Sequence, residues 1–304
     1  MQDLDHEGVT REVLAQMATT PDPRLRTVME AAVRHLHAFA REVELTPEEW
    51  LSGIAFLTAA GQACTPHRQE FILLSDVLGL SRLVNVMHDA TGREAAGTET
   101  SLLGPFFREK APEFAPGESI AVHATGGQEI ILFGQILDAA GRPVPGAEID
   151  IWQTNAAGLY DLQAADASVM DLRGRFRADA DGRFHMRTVK PVGYSIPMDG
   201  PVGPFVKRQG RHGMRPAHIH ILVAAPGYRE LVTALYLADD PNIGSDTVFG
   251  VSQSLVVAPA MGVPGAPRTD LPAIRYDFRL SRRASGETGG RVGADPSRIM
   301  PAAE

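Results

Sequence analysis

Residues 215–223 read Arg-Pro-Ala-His-Ile-His-Ile-Leu-Val. Side chains alternate across an extended strand, so His218 and His220 share one face, and Ile219, Ile221 and Val223 share the other. A β-branched apolar face opposite a polar one marks a strand laid against a core. Two imidazoles side by side on the other face form a candidate metal-ligand pair.

The text on either side has the same β character. From about Glu118 onward it runs through EIILFGQILD (129–138) and GRPVPGAEIDIWQT (141–154), the latter a turn at Val144-Pro145-Gly146 followed by a strand. RGRFRADADGRFHMRTV (173–189) reads as a hairpin with Asp181-Gly182 as its turn and Phe176 and Phe184 on its arms. LVTALYLA, SQSLVVA and IRYDFRL, from 231, 252 and 274, supply further short strands. Many short strands with 30 glycines and 22 prolines predict an antiparallel sandwich or barrel.

The first hundred residues read as helical. Met29, Ala32, Val33, Leu36, Ala40 and Val43 form the stripe of an amphipathic helix. Thr46, Pro47 and Glu49 form a capping box with proline at the first helical position. Thr65-Pro66 repeats part of that signal before a second helical stretch, and residues 90–101 read as a linker or loop. The expected fold class is therefore α+β, mainly β. It has a helical segment over 1–105 that covers the pocket or makes a dimer, a β-sandwich over 106–281 carrying the site, and a flexible tail over 282–304.

Composition narrows the function. The 304 residues carry 29 Lys plus Arg against 37 Asp plus Glu, a net charge of -8, which argues against a general nucleic-acid binder. Cys64 is the single cysteine, so no intrachain disulfide forms. The opening residues lack the apolar stretch of a secretory signal, and no run reaches the roughly 18 apolar residues that span a bilayer. A cytoplasmic protein, not a membrane protein, is the expectation.

On the residues alone, the histidine pair leaves several readings open. Cupins, zinc enzymes and two-histidine, one-carboxylate iron sites all use such pairs, and so does a plainly solvated strand. A carboxylate triad would draw on Asp179 or Asp181, which look like turn residues. Zinc would call for more donors, and Cys64 lies in the helical part while His212 lies in a polar loop. Tyr160, just past EIDIWQT, and Tyr194, in a proline-bounded loop, offer another route. Each sits at the end of a β element, where loops carry function on a rigid scaffold, although packing tyrosines sit there too. A phenol of pKa about 10 ionises at neutral pH only beside a strong cation.

GQILDAAGRPVPGAEIDIWQTNAAGLYD, LRGRFRADADGRFHMRTVKPVGYSIPMDGPVG and RPAHIHILVAAPGY, taken in order, resemble the intradiol ring-cleavage dioxygenases. Leu103-Gly-Pro-Phe-Phe and TPDPRLRTVMEAAVRHLHAF are most similar to the hydroxyquinol 1,2-dioxygenase branch. The resemblance implies one iron(III) per chain, held by Tyr160 and His218 in equatorial positions and by Tyr194 and His220 in axial ones. It also implies that Tyr194 leaves the metal when substrate binds and accepts a substrate proton. Arg215 would stabilise negative charge on the bound ring. Leu73, Asp76, Leu103, Gly104, Phe106, Ile196 and Pro197 would wall the pocket, with Asp76 receiving a third hydroxyl or, as the plainer reading, capping the helix that follows. The implied substrates are hydroxyquinol (benzene-1,2,4-triol) or a substituted relative and dioxygen, and the product is of the cis,cis-muconate or maleylacetate type. Catechol or chlorocatechol is the alternative substrate, and a non-enzymatic β-sandwich binding module is the alternative of another kind. The resemblance further implies a homodimer through the N-terminal helices with a phospholipid at the interface. Ala234 departs from the pattern, because catechol-cleaving members carry Gln there and the hydroxyquinol branch often carries His. It opens space beside the site.

Overall fold

The computed structural model describes residues 5–65, 68–92, 97–123, 126–164, 166 and 168–283. The tail beyond 283, Pro66, and part of the 90–101 segment lie outside the described residues. The chain divides into two compact units, Met1–Gln62 and Ala63–Glu304.

The first unit holds α1 (His6–Met17), α2 (Pro23–Glu42) and α3 (Pro47–Gln62). The start of α3 is the capping box expected from sequence. The Thr46 hydroxyl accepts from Glu49 N at 3.2 Å, and the Glu49 carboxylate accepts from Thr46 N at 3.0 Å. Asp22 caps α2 in one direction only, accepting from the Arg24 and Leu25 amides, with Pro23 in the first turn.

The second unit opens with α4 (Glu70–Val77) and α5 (Leu80–Gly92). The Thr65 signal does not cap α4, which begins five residues later behind Gln69 without a side-chain cap. The strands that follow are β1 (Glu129–Asp138), β2 (Glu148–Gln153), β3 (Arg173–Arg177), β4 (Arg183–Val189) and β5 (Tyr194–Ser195). After the short helix α6 (Val202–Arg208) come β6 (Met214–Arg215), β7 (His218–Ala224), β8 (Leu231–Leu237), β9 (Val256–Val257), β10 (Ala273–Arg275) and β11 (Phe278–Leu280).

Two sheets stack. One runs β3-β2-β7-β8-β9, and the other sets β4 on one side of β1 and β10 and β11 on the other. Ile219, Ile221 and Val223 of β7, Ile149 and Ile151 of β2, and Leu235 and Leu237 of β8 face Ile130, Leu132, Phe184, Met186 and Phe278 across one core. The apolar face read from β7 is thus the core face. The main pairings are antiparallel as expected, but β1 with β10, β1 with β11, and β8 with β9 are parallel. In each parallel pair the chain returns by a long connection instead of a hairpin.

Two expectations change here. β3 and β4 are not a hairpin, because β3 pairs with β2 in one sheet and β4 with β1 in the other. The Asp181-Gly182 turn does close locally, with Asp179 N bonded to Arg183 O at 2.9 Å, but it is a corner between sheets. Phe176 and Phe184 both enter the shared core, and that burial separates the arms. IRYDFRL is broken rather than continuous. At Gly134 a Cβ would stand 1.9 Å from Tyr276 O, so the glycine admits the kink that separates β10 from β11.

Candidate active site

The face of the β2-β7-β8 sheet turned away from the core carries the polar cluster. Trp152 pairs with His220, and His220 with Ala234, while His218 pairs with Tyr236. Period-two alternation therefore puts Trp152, both histidines, Ala234 and Tyr236 on one surface. Tyr160 arrives from the loop after β2, where a turn at Asn155 and Gly158 (φ 77°) leads into a short 3₁₀ turn. Tyr194 arrives from β5, which β6 pins by pairing Tyr194 with Arg215.

These side chains converge. The Tyr160 oxygen lies 3.3 Å from His218 Nε2, and His218 Nε2 lies 3.0 Å from His220 Nε2. Arg215 Nη1 lies 3.3 Å from His218 Nε2 and 3.4 Å from the Tyr194 oxygen. The two tyrosine rings meet edge to face at 5.3 Å. All five residues are buried, none more than 6% exposed. Phe106 stacks on Tyr160 at 4.4 Å and Trp152 on His220 at 4.8 Å, which fixes both rings.

The protonation states follow from the neighbours. His218 Nδ1 sits 2.7 Å from Pro216 O, which can only accept, so Nδ1 carries the hydrogen and the Nε2 lone pair faces the centre. Burial, reinforced by the Arg215 charge, pushes His218 down to about 3, and it is neutral at pH 7. Burial and the adjoining His218 hold His220 well below its usual value. Burial, with Tyr194 adding to it, holds Tyr160 well above the usual phenol range, against the pull of Arg215. A phenolate here requires a cation at the centre.

The donor set fits a metal ion. Two neutral imidazole nitrogens and two phenol oxygens face one point, and two cis nitrogens each about 2.1 Å from one ion stand about 3 Å apart. His220 Nδ1 is buried without a protein partner. Among the described residues, no three His, Cys, Asp or Glu side chains form a metal-binding group. Asp179 accepts from Asp181 N and Arg183 N in the sheet corner, and His212 bonds Ser245, so neither supplies a third ligand of the alternative kinds.

The remaining predicted residues are placed as follows. Leu73 and Asp76 are both buried, at i and i+3 on α4. Burial raises the Asp76 carboxyl, while the Ser81 hydroxyl and the Arg215 charge oppose the rise. Leu103 packs into the cluster of Phe106, Trp152, Tyr160 and Tyr194. Gly104 (φ 72°) passes so close to His220 that a Cβ would lie 3.4 Å from Nε2. Ile196 is buried two residues beyond Tyr194, and Pro197 is half-buried beside it. Ala234 is buried with Tyr236 and Leu255.

Sequence reasoning missed two buried polar groups. Asp161 takes the guanidinium of Arg173 through Nε at 2.6 Å and again through Nη2, and Arg108 joins at 3.2 Å. Arg173 also donates to Phe106 O at 3.0 Å. One buried arginine thus ties the Tyr160 loop to the ring stacked on Tyr160. On the other side, Tyr236 and Asp246 flank Arg215. Tyr236 was findable, because it is in phase with Ala234 on a recognised strand. Asp246 lies in an irregular loop and gave no such signal.

Residues 102–282 match the family described as Dioxygenase, and residues 22–96 match the one described as Catechol dioxygenase N terminus. The chain is 44% identical over 281 residues to the 6-chlorohydroxyquinol 1,2-dioxygenase of Cupriavidus pinatubonensis, covering 92% of this chain and 99% of that one. It is 45% identical over 259 residues to a hydroxyquinol 1,2-dioxygenase of Rhodococcus opacus, covering 85% of each. The crystal structure of the hydroxyquinol 1,2-dioxygenase of Pseudomonas putida superposes with a TM-score of 0.84 at 44% identity, over 91% of this chain and 99% of that one. The chain belongs to the intradiol ring-cleavage dioxygenases, on the side of that family whose members are named hydroxyquinol 1,2-dioxygenases.

Proposed function

We propose that this enzyme opens the ring of hydroxyquinol, or of a substituted relative, between adjacent hydroxyl-bearing carbons, with one iron(III) held by Tyr160, Tyr194, His218 and His220. The product is of the cis,cis-muconate or maleylacetate type. Enzymes of this family depend on iron in general and take aromatic diols and dioxygen. The observation that carries the reading is the convergence of two phenol oxygens and two neutral imidazole nitrogens on one buried point beside Arg215.

Tyr160, Tyr194, His218 and His220 would hold iron(III), which would supply the Lewis acidity that binds a diol and makes its ring reactive toward dioxygen. The protein's own residues do the rest. Tyr194 stands on a two-residue strand with its oxygen beside Arg215, placed to take a proton from a substrate hydroxyl. Arg215 presents a fixed charge to the ring and stabilises the electron density that builds on it. Leu73, Leu103, Gly104, Phe106, Ile196 and Pro197 exclude water. Asp76 receives the third hydroxyl that distinguishes hydroxyquinol from catechol. Ala234 leaves room beside His220 for a ring substituent.

Colour tests the ligands. Tyrosinate bound to iron(III) absorbs visible light, so the iron-loaded protein should be wine-red, and a colourless iron-loaded protein contradicts the assignment.

The N-terminal helices are the proposed dimer contact, with a phospholipid between copies and the cytoplasm as the compartment. Leu25, Leu36, Phe39, Trp50 and Leu51 in the first unit are exposed and apolar, which supports an apolar contact there. Sedimentation and lipid extraction test it. Among the described residues no single helix is long and apolar enough to cross a membrane.

A further inference from the structure

Arg215 is 3% exposed, and its guanidinium has two sides. Nη1 faces the Tyr194 oxygen and His218 Nε2. Nε and Nη2 face away, toward Asp246 Oδ1 at 3.3 Å, Asp246 Oδ2 at 3.5 Å and the Tyr236 oxygen at 3.4 Å.

Both rear groups are held in place. Asp246 accepts from Val248 N at 3.3 Å and Gly250 N at 3.0 Å, which curls the loop around its carboxylate. A Cβ on Gly250 would stand 2.5 Å from the Tyr236 oxygen and 3.0 Å from Asp246 Oδ2, so only glycine fits there. Ser101 Oγ lies 3.1 Å from Gly250 O, which accepts its hydrogen, and 2.8 Å from the Tyr236 oxygen. Tyr236 therefore donates to Ser101 and keeps a lone pair for Arg215. Arg211 straps the same loop to α4, donating to Thr247 O and Val77 O at 2.7 Å each.

The contacts to Asp246 are long for a charge-assisted pair. The Arg175–Asp150 fork in this molecule measures 2.8 and 3.0 Å. Asp246 therefore does not saturate Arg215, and the guanidinium is shared between its rear anchor and the site.

We infer that Asp246, assisted by Tyr236, is a positioning residue for Arg215: it holds the guanidinium so that Nη1 is presented to the bound ring. The inference rests on the role given to Arg215 above. Asp246 touches no reacting atom and acts through Arg215. Its loss should lower kcat while leaving iron content and substrate affinity in place.

A double-mutant cycle on the iron-loaded enzyme tests this. Arg215→Met should lower kcat about 100-fold. Asp246→Asn should lower kcat about 30-fold, with KM for hydroxyquinol and bound iron unchanged, yet alter kcat less than about 3-fold in the Arg215→Met background. Tyr236→Phe removes only the hydroxyl and should show the same background dependence on a smaller scale. It carries the test if the Asp246→Asn chain does not fold. Equal losses in both backgrounds, or an Asp246→Asn enzyme with wild-type kcat, would overturn the positioning role while leaving that of Arg215 intact. An Arg215→Met enzyme with wild-type kcat would overturn the role of Arg215, and this one with it.

Discussion

At the residue scale, Tyr160 and His220 each aim one donor at the proposed metal point, and each ring is clamped by a stacked neighbour. Tyr160→Phe and His220→Ala should each lose bound iron and visible colour, measured by metal analysis of the purified chain. Tyr194→Phe should keep part of the iron and slow the step that deprotonates substrate. In the proposed reading, Asp76 sets the choice of ring. Asp76→Ala should cut kcat/KM for hydroxyquinol about 10- to 100-fold and leave catechol nearly unchanged. A parallel loss on both substrates would return Asp76 to a structural role. His218 and His220 were legible as a pair because strand alternation needs only their spacing. Their partners were legible only through the resemblance, since a tyrosine at a loop end looks the same whether it packs or ligates. Arg173 and Asp246 escaped because a buried ion pair leaves no period in the sequence.

At the element scale, the site depends on short pieces held by side chains. The loop carrying Tyr160 is fixed through Asp161 by the fully buried Arg173. Removing it leaves the buried Asp161 carboxylate with Arg108 alone, so Arg173→Met should cost about 3 kcal/mol in denaturant unfolding, the low end for a broken buried pair. It should also loosen the Phe106–Tyr160 stack. The α3 capping box is exposed, and Thr46→Ala should cost only about 1 kcal/mol, read as a lower helical stability of the first unit. Helix starts were readable where the cap is local, as at Thr46, and misread at Thr65, where α4 begins without one. The Asp181-Gly182 turn was readable as a turn but not as a sheet corner. The dipeptide specifies a local reversal, whereas partner choice is decided by Phe176 and Phe184 entering a core built from distant strands.

At the scale of the whole molecule, a two-layer sandwich offers one face to its core and the other to the chemistry. Alternation along β7 predicts that division, and the fold class was legible in the many short strands set off by glycine and proline. The parallel strands were not, because the connections that return β10 and β11 beside β1 carry no pattern of their own. Outside the site, the Asp138 carboxyl accepts from the Arg142 side chain and from the Arg142 and Ala140 amides, and is lowered to about 2. Its folded value lies below its unfolded one, so its contribution is full above about pH 4 and is lost as pH falls through about 2. Asp138→Asn should therefore flatten the acid limb of the stability curve over that window, seen by thermal unfolding across pH. The central claim concerns the ring that the site takes. Oxygen uptake and product spectra of the iron-loaded enzyme, with hydroxyquinol, catechol and chlorocatechol compared side by side, test it most directly. The prediction is one dioxygen consumed per hydroxyquinol, with ring-opened product and faster turnover than on the other two. Faster turnover of catechol, or no oxygen uptake with the triol, would contradict it.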